Sequence, residues 1–220
     1  MTAFFMMKKQ LLLLFMMISF TFFSQKKVEK DMETSLKEIE ISTVGLDDFV
    51  IENSNSKFVE VILFAENMHE QEIIISEEND KVAIKFQLDS LIIEEAVFRK
   101  FITKRLQRAY AIVKIPKGKN LTIYGENHSI ESKNFWGDLT IYIEKGIVKL
   151  NTIQSNTIVK MYAGTIFATA KNKNINLHSN IGNITVDEVL YQKDFKKIVS
   201  ESSKSLSINT IKGIIFVSTQ

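Results

Sequence analysis

The 220-residue sequence predicts an all-β protein: a single-domain β-solenoid (β-helix-like) of short stacked strands, with an N-terminal β-hairpin region and a short helix near 90–108. Three observations predict it. The first is a beat. From Leu121 onward, segments such as "DLTIYIEKG", "GIVKLNT", "GTIFATA" and "GNITVDEV" place their first core candidates near 121, 139, 148, 159, 166, 175, 184, 206 and 214, mostly seven to eleven residues apart. The second is period-two alternation inside each segment, the mark of a strand with one buried face. The third is punctuation: Gly146, Gly164, Gly182 and Gly213 stand just before strands, where they permit sharp corners. One coil of such strands cannot bury its apolar edge alone, so coils must stack, with about 4.8 Å between equivalent strands. An antiparallel β-sandwich, whose strands also arrive about every 8–12 residues, is the alternative. The units favour the solenoid because they are short and alike, with no Asn-Gly hairpin pair between them.

In chain order, residues 1–24 read as a secretory signal peptide. Lys8 and Lys9 form a positive start, Leu11 to Phe23 is a nearly unbroken apolar run, and Ser24-Gln25 gives way to "KKVEKDME". As a helix the run reaches about 20 Å, short of the roughly 30 Å of a bilayer core. Removal rather than anchoring is therefore expected, and no integral membrane protein remains afterwards. "MKKQLLLLF" from Met7 is also a more ordinary signal start than Met1. Residues 25–38 read as a loose charged leader. The single domain then spans 39–220, with a strand-rich part over 39–88, a helical cap or loop over 89–108 and the repeat region over 109–220.

In 39–88, "EIEIS", "DDFVIENS", "KFVEVILFAE", "QEIIISEEND" and "KVAIKFQ" have strand composition and strand period, and "EENDK" reads as a tight hairpin turn. In 89–108 the pattern changes. Val97, Phe98, Phe101, Ile102 and Leu106 fall on one helical face, and Asp89 or Ser90 would cap it. In the repeat region the inward face is read as Leu139-Ile141-Ile143, Val148-Leu150, Val159-Met161-Ala163, Ile166-Ala168, Ile175-Leu177, Ile184-Val186, Leu206-Ile208 and Ile214-Phe216. The outward face is read as Thr140, Tyr142, Lys149, Lys160, Thr169, Asn176, Thr185 and Ser207. One rung looks poorly formed around His128–Ile130, and "DEVLYQKDFKKIVSESSK" is an excursion.

The stretch "AIVKIPKGKNLTIYGENHSIESKNFWGDLTIYIEKGIVKLNTI…GTIFATAKNKNINLHSNIGNITVDEV" resembles bacterial exported β-strand-repeat domains of the adhesin or head-domain type, whose function is unknown. Ile115-Pro116-Lys117-Gly118 carries the turn, and Gly-led short strands follow it. The resemblance runs from about Leu36 to Gln220, with fewer glycines here and Asn or Lys at several corners. It implies a β-repeat fold and no catalytic residue.

Composition narrows the function. The absence of cysteine removes disulfides, thiolate metal sites, a catalytic thiol and a lipidation site. The chain has 28 basic and 26 acidic residues, and without the two lysines of the signal segment the balance is even. That argues against nucleic acid, which calls for a basic excess. His69, His128 and His178 stand alone in sequence and are expected at the surface or in turns, with no metal or cofactor site. Asp47-Asp48, Glu77-Glu78 and Glu94-Glu95 fall in turns or helix starts. The one candidate contact for an anionic ligand is Arg99, Lys100, Lys104, Arg105 and Arg108, which equally suits the wet side of a capping helix. Tyr142, Tyr162 and Phe167 are candidates for a lateral strip.

These features predict an exported, non-enzymatic interaction, adhesion-like or scaffold module of the periplasm or cell surface, with an envelope glycan or a protein as partner. A polysaccharide-processing enzyme or accessory domain on a β-helix is one alternative. The sensing partner of an envelope signalling system is another.

Overall fold

The computed structural model describes residues 26–65, 71–88, 109–200 and 202–220. The predicted signal peptide and the segment 89–108 lie outside the described residues, and so does His69. Among the described residues there is no helix; the chain forms one 15-stranded sheet, mixed in direction and not closed on itself.

The centre of the sheet is parallel. Strands β8 (Asn120–Ser132), β9 (Leu139–Leu150) and β10 (Thr157–Thr169) stack side by side in register. Leu121 pairs with Leu139 and Leu139 with Thr157, so the register advances 18 residues per pass. The nine-residue beat is thus half of the true repeat: each long strand has two short apolar halves separated by a corner. An antiparallel sandwich has no such parallel core, so that alternative is overturned for the repeat region.

The stack extends at both ends, and both times by a chain terminus. β15 (Ser205–Ser218) pairs parallel with β10 on one side. On its other side it pairs parallel with β11 (Asn174–Ser179) and β12 (Ile184–Val186). β2 (Glu38–Ser42) and β3 (Asp48–Ser54) form the pass on the far side of β8. They pair parallel in turn with β6 (Lys81–Leu88) and β7 (Ala109–Pro116). The N-terminal pass therefore sits between β7 and β8, and the C-terminal strand between β10 and β11, although each of those pairs is consecutive in sequence.

Antiparallel strands cover the two ends of the stack. β5 (Gln71–Glu78) pairs with β6 through a two-residue turn, in which Asn79 and Asp80 both take positive φ of 52° and 60°, as the hairpin reading of "EENDK" expects. β4 (Phe58–Ala65) pairs with β7, and β1 (Lys26–Glu33) pairs with β4. The expected loose leader is thus a strand: Val28 and Met32 alternate onto the core and are partly buried. At the other end the excursion folds into β13 (Val189–Tyr191) and β14 (Asp194–Lys197), which pair with β12 and β11. Covering a sheet edge with short or charged strands blocks end-to-end pairing.

The core consists of columns. Ile41, Ile123, Ile141, Val159, Ile208 and Leu177 occupy one register position through successive passes, and all are buried. Phe49, Ile130, Val148, Ile166, Ile215 and Ile184 do the same in the second halves. Each such side chain is worth roughly 1.5–3 kcal/mol relative to leaving it in water.

Two inward readings are corrected. Ile214 and Phe216 are 39% and 38% exposed, whereas Ile215 and Val217 are buried. Across the corner the buried positions step from Thr210 to Ile215, an odd shift along the chain, which flips the parity. The run Ile214-Ile215-Phe216-Val217 is apolar on both faces, so alternation alone was blind to the flip. Ala163 is only half-buried, because it shares the corner column of Asn127, Lys145 and Lys212.

Candidate functional site

The corner is built from glycine. Gly146, Gly164 and Gly213 occupy one register position, and Gly182 lies against Gly213. Gly146 and Gly164 have φ of 148° and 132°. A Cβ on Gly146, Gly164 or Gly182 would come well inside 3.0 Å of the carbonyl oxygen of His128, Gly146 or Gly213 respectively. His128 closes this column at the β8 level, in register with Gly146.

His128 is 6% exposed, which corrects the expected surface placement. Its ring lies where Gly125 has no Cβ, and its Nε2 is 2.8 Å from Thr43 Oγ1. Burial holds its pKa below the ordinary 6.5, against the opposing pull of Asp48, Asp47 and Glu126. The rung read as poorly formed is complete: Ile130 is buried, and the polar inward residues His128 and Ser132 replace apolar ones. This is a structural histidine, sealed from solvent. His178 is more exposed and lies 2.7 Å from Asp194 through Nδ1. Among the described residues no three of His, Asp and Glu converge on a metal position.

The inner faces are occupied by core, so binding chemistry must lie outside. The outer face of the first halves is polar and aromatic in register. One column reads Ser42, Tyr124, Tyr142, Lys160, Asn209, His178 across successive strands. The next reads Glu40, Thr122, Thr140, Ile158, Ser207, Asn176. Tyr124 and Tyr142 stack with ring centroids 5.3 Å apart and planes 8° off parallel. Lys160 Nζ covers the Tyr142 ring at 5.4 Å, and Lys212 Nζ the Tyr162 ring at 5.6 Å. Tyr142, Tyr162, Lys160, Glu144 and Asn209 line an open groove of about 550 Å³.

The outer face of the second halves is more apolar. Phe167 and Phe216 stack at 5.2 Å, with Ile147 and Ile214 exposed in the adjacent column. Beside them a depression of about 890 Å³ reaches Asn151, Thr185 and the Asp187-Glu188 turn. Thr219 donates to the Asp187 carboxylate from both N and Oγ1, which lowers its pKa.

Of the residues singled out in the sequence, Tyr142, Tyr162 and Phe167 are all outward and exposed. Arg99, Lys100, Lys104, Arg105 and Arg108 lie outside the described residues. The reading missed Tyr124, Asn209 and Lys212 as parts of a surface, and it placed Phe216 inside. The signal for Tyr124 is its 18-residue spacing from Tyr142. Asn209 has no such signal, because its strand is inserted out of sequence order.

No protein-family model and no curated protein matches the chain. Among solved structures, it is similar to a "putative cell adhesion protein" from Clostridium sporogenes ATCC 15579, at 13% identity and a TM-score of 0.60, covering 90% of this chain and 100% of that one. A "putative adhesin" from Bacteroides fragilis NCTC 9343 matches at 10% identity and a TM-score of 0.33, over 88% of this chain and 98% of that one. The first likeness shows that the two chains share a fold.

Proposed function

We propose that this chain is an exported, non-enzymatic, adhesion-like binding module of the cell envelope, wound as a β-solenoid whose outer strand faces meet the partner. One observation carries it: the outward face of the first halves repeats hydrogen-bonding and aromatic side chains in register across six strands, while every inward column is spent on core. Export rests on the N-terminal sequence, and adhesion-like binding takes support from the fold shared with the Clostridium sporogenes protein. The basic group from Arg99 to Arg108 is a second candidate contact for an anionic partner.

The test is retention of the purified, fluorescently labelled protein on envelope preparations and intact cells, with cell fractionation of the native chain. Retention that drops on changing outward residues such as Tyr142, at unchanged melting temperature, supports the reading. Absence of retention from every preparation, or release of reducing ends from polysaccharide by the protein, overturns it; the second outcome favours the enzyme alternative.

A further inference from the structure

We infer that the outer face of the first halves binds a linear acidic polysaccharide laid along the stack, across the strands; this rests on the binding-module reading above and names its ligand. Three features point to that chemistry. In the column Ser42, Tyr124, Tyr142, Lys160, Asn209 and His178, every side chain carries a hydrogen-bonding group. The neighbouring column adds Thr122, Thr140, Ser207 and Asn176, with Ile158 among them and Glu40 at its end. These groups recur at the strand spacing of about 4.8 Å, close to the length of one pyranose unit. A polymer that presents hydroxyls at a fixed interval matches such a ladder; the irregular surface of a globular protein does not.

The second feature is charge. Lys160 and Lys212 each rest on a tyrosine ring, and neither forms an ion pair among the described residues. Among the described residues Glu144 is the only carboxylate lining the groove, and Glu40 and the Asp194 bonded to His178 stand at the two ends of the face. An ammonium placed over a ring keeps its outward N–H donors available for a carboxylate. The third feature is contrast. On the second halves one outward column reads Ser129, Ile147, Thr165, Ile214 and the next Glu131, Lys149, Phe167, Phe216, Thr185, so apolar side chains interrupt the run of hydrogen-bonding groups. The groove is open along the stack, so it suits a chain passing through and not a single enclosed sugar.

The experiment is titration of the full-length exported protein with polygalacturonate oligomers of two, four and six units and with the methyl-esterified hexamer as the neutral control. The expected result is tighter binding with each added length, because longer oligomers reach more strands. The ester should bind at least about tenfold more weakly, the size of one lost charge-assisted hydrogen bond. Lys160→Gln and Lys212→Gln should each weaken the hexamer by a similar factor at unchanged melting temperature. Phe216→Ala should leave hexamer affinity unchanged. Binding should also fall as salt rises. Equal affinity for acid and ester, no dependence on length, or full binding by the lysine variants overturns the inference. Retention on cells that survives Tyr142→Ala and Lys160→Gln, with no hexamer binding, sinks the polysaccharide inference and leaves the binding-module reading standing on another face. Absence of both cell retention and hexamer binding in the unsubstituted protein sinks both.

Discussion

Gly164 lies directly beside Gly146 at the corner of two neighbouring strands, in a position where a Cβ on Gly164 would run into the Gly146 carbonyl oxygen. The two backbones approach so closely because each long strand turns at the same point. A side chain at either position has nowhere to go but through a neighbouring main chain, which cannot rotate away as a side chain would.

Gly164→Ala should therefore destabilise the fold by more than about 4 kcal/mol, the range reserved for a broken backbone or core feature. Gly118→Ala is the control. Gly118 also has positive φ, 83°, but a Cβ there meets nothing within 4 Å, so the cost should be the left-handed penalty alone, about 1–2 kcal/mol. Chemical denaturation of the two variants separates the clash from the torsion. Similar losses would remove the corner argument.

The parity of β15 has an equally direct check. Ile215→Ala should cost about 2–5 kcal/mol through a core cavity, whereas Ile214→Ala, on the outer face, should stay within about 0.5 kcal/mol. The reverse order of melting temperatures would restore the inward face read from the sequence.

His128 makes a prediction about acid. Its folded pKa is depressed below 6.5, chiefly by burial. The stability that neutral His128 contributes is thus fully present above 6.5 and is lost as the pH falls through the lower folded value. His128→Gln retains a polar group for Thr43 and takes up no proton. Its melting temperature should decline less steeply below pH 6.5 than that of the wild type. Parallel profiles would assign the acid sensitivity to other groups.

β15 joins β10 to β11 and β12 from inside the stack, so its amides are bonded on both edges. They should exchange with solvent only through global unfolding, despite lying at the C-terminal end of the sequence, while amides of the covering strand β14 exchange through smaller openings. Hydrogen exchange followed by mass spectrometry reads this out. Fast exchange over Ser205–Ser218 would place β15 at an edge.

By itself the sequence determined the all-β class, the corners at Gly146, Gly164 and Gly213, the Asn79-Asp80 hairpin and most of the inward face. Those features are local: alternation sets which face is wet, and a missing Cβ sets where the chain can turn. Outward Tyr142, Tyr162 and Phe167 were legible for the same reason. Tertiary structure alone decided the rest. Strand direction and the insertion of β2–β3 and β15 into the stack depend on hydrogen bonds between segments far apart in the chain, which leave no periodic trace. His128 looked like a surface residue because its partner Thr43, which closes over the space beside Gly125, becomes a neighbour only when the N-terminal pass slides in beside β8. Ile214 and Ile215 are chemically alike, so only the corner's odd step could choose which of them met the core.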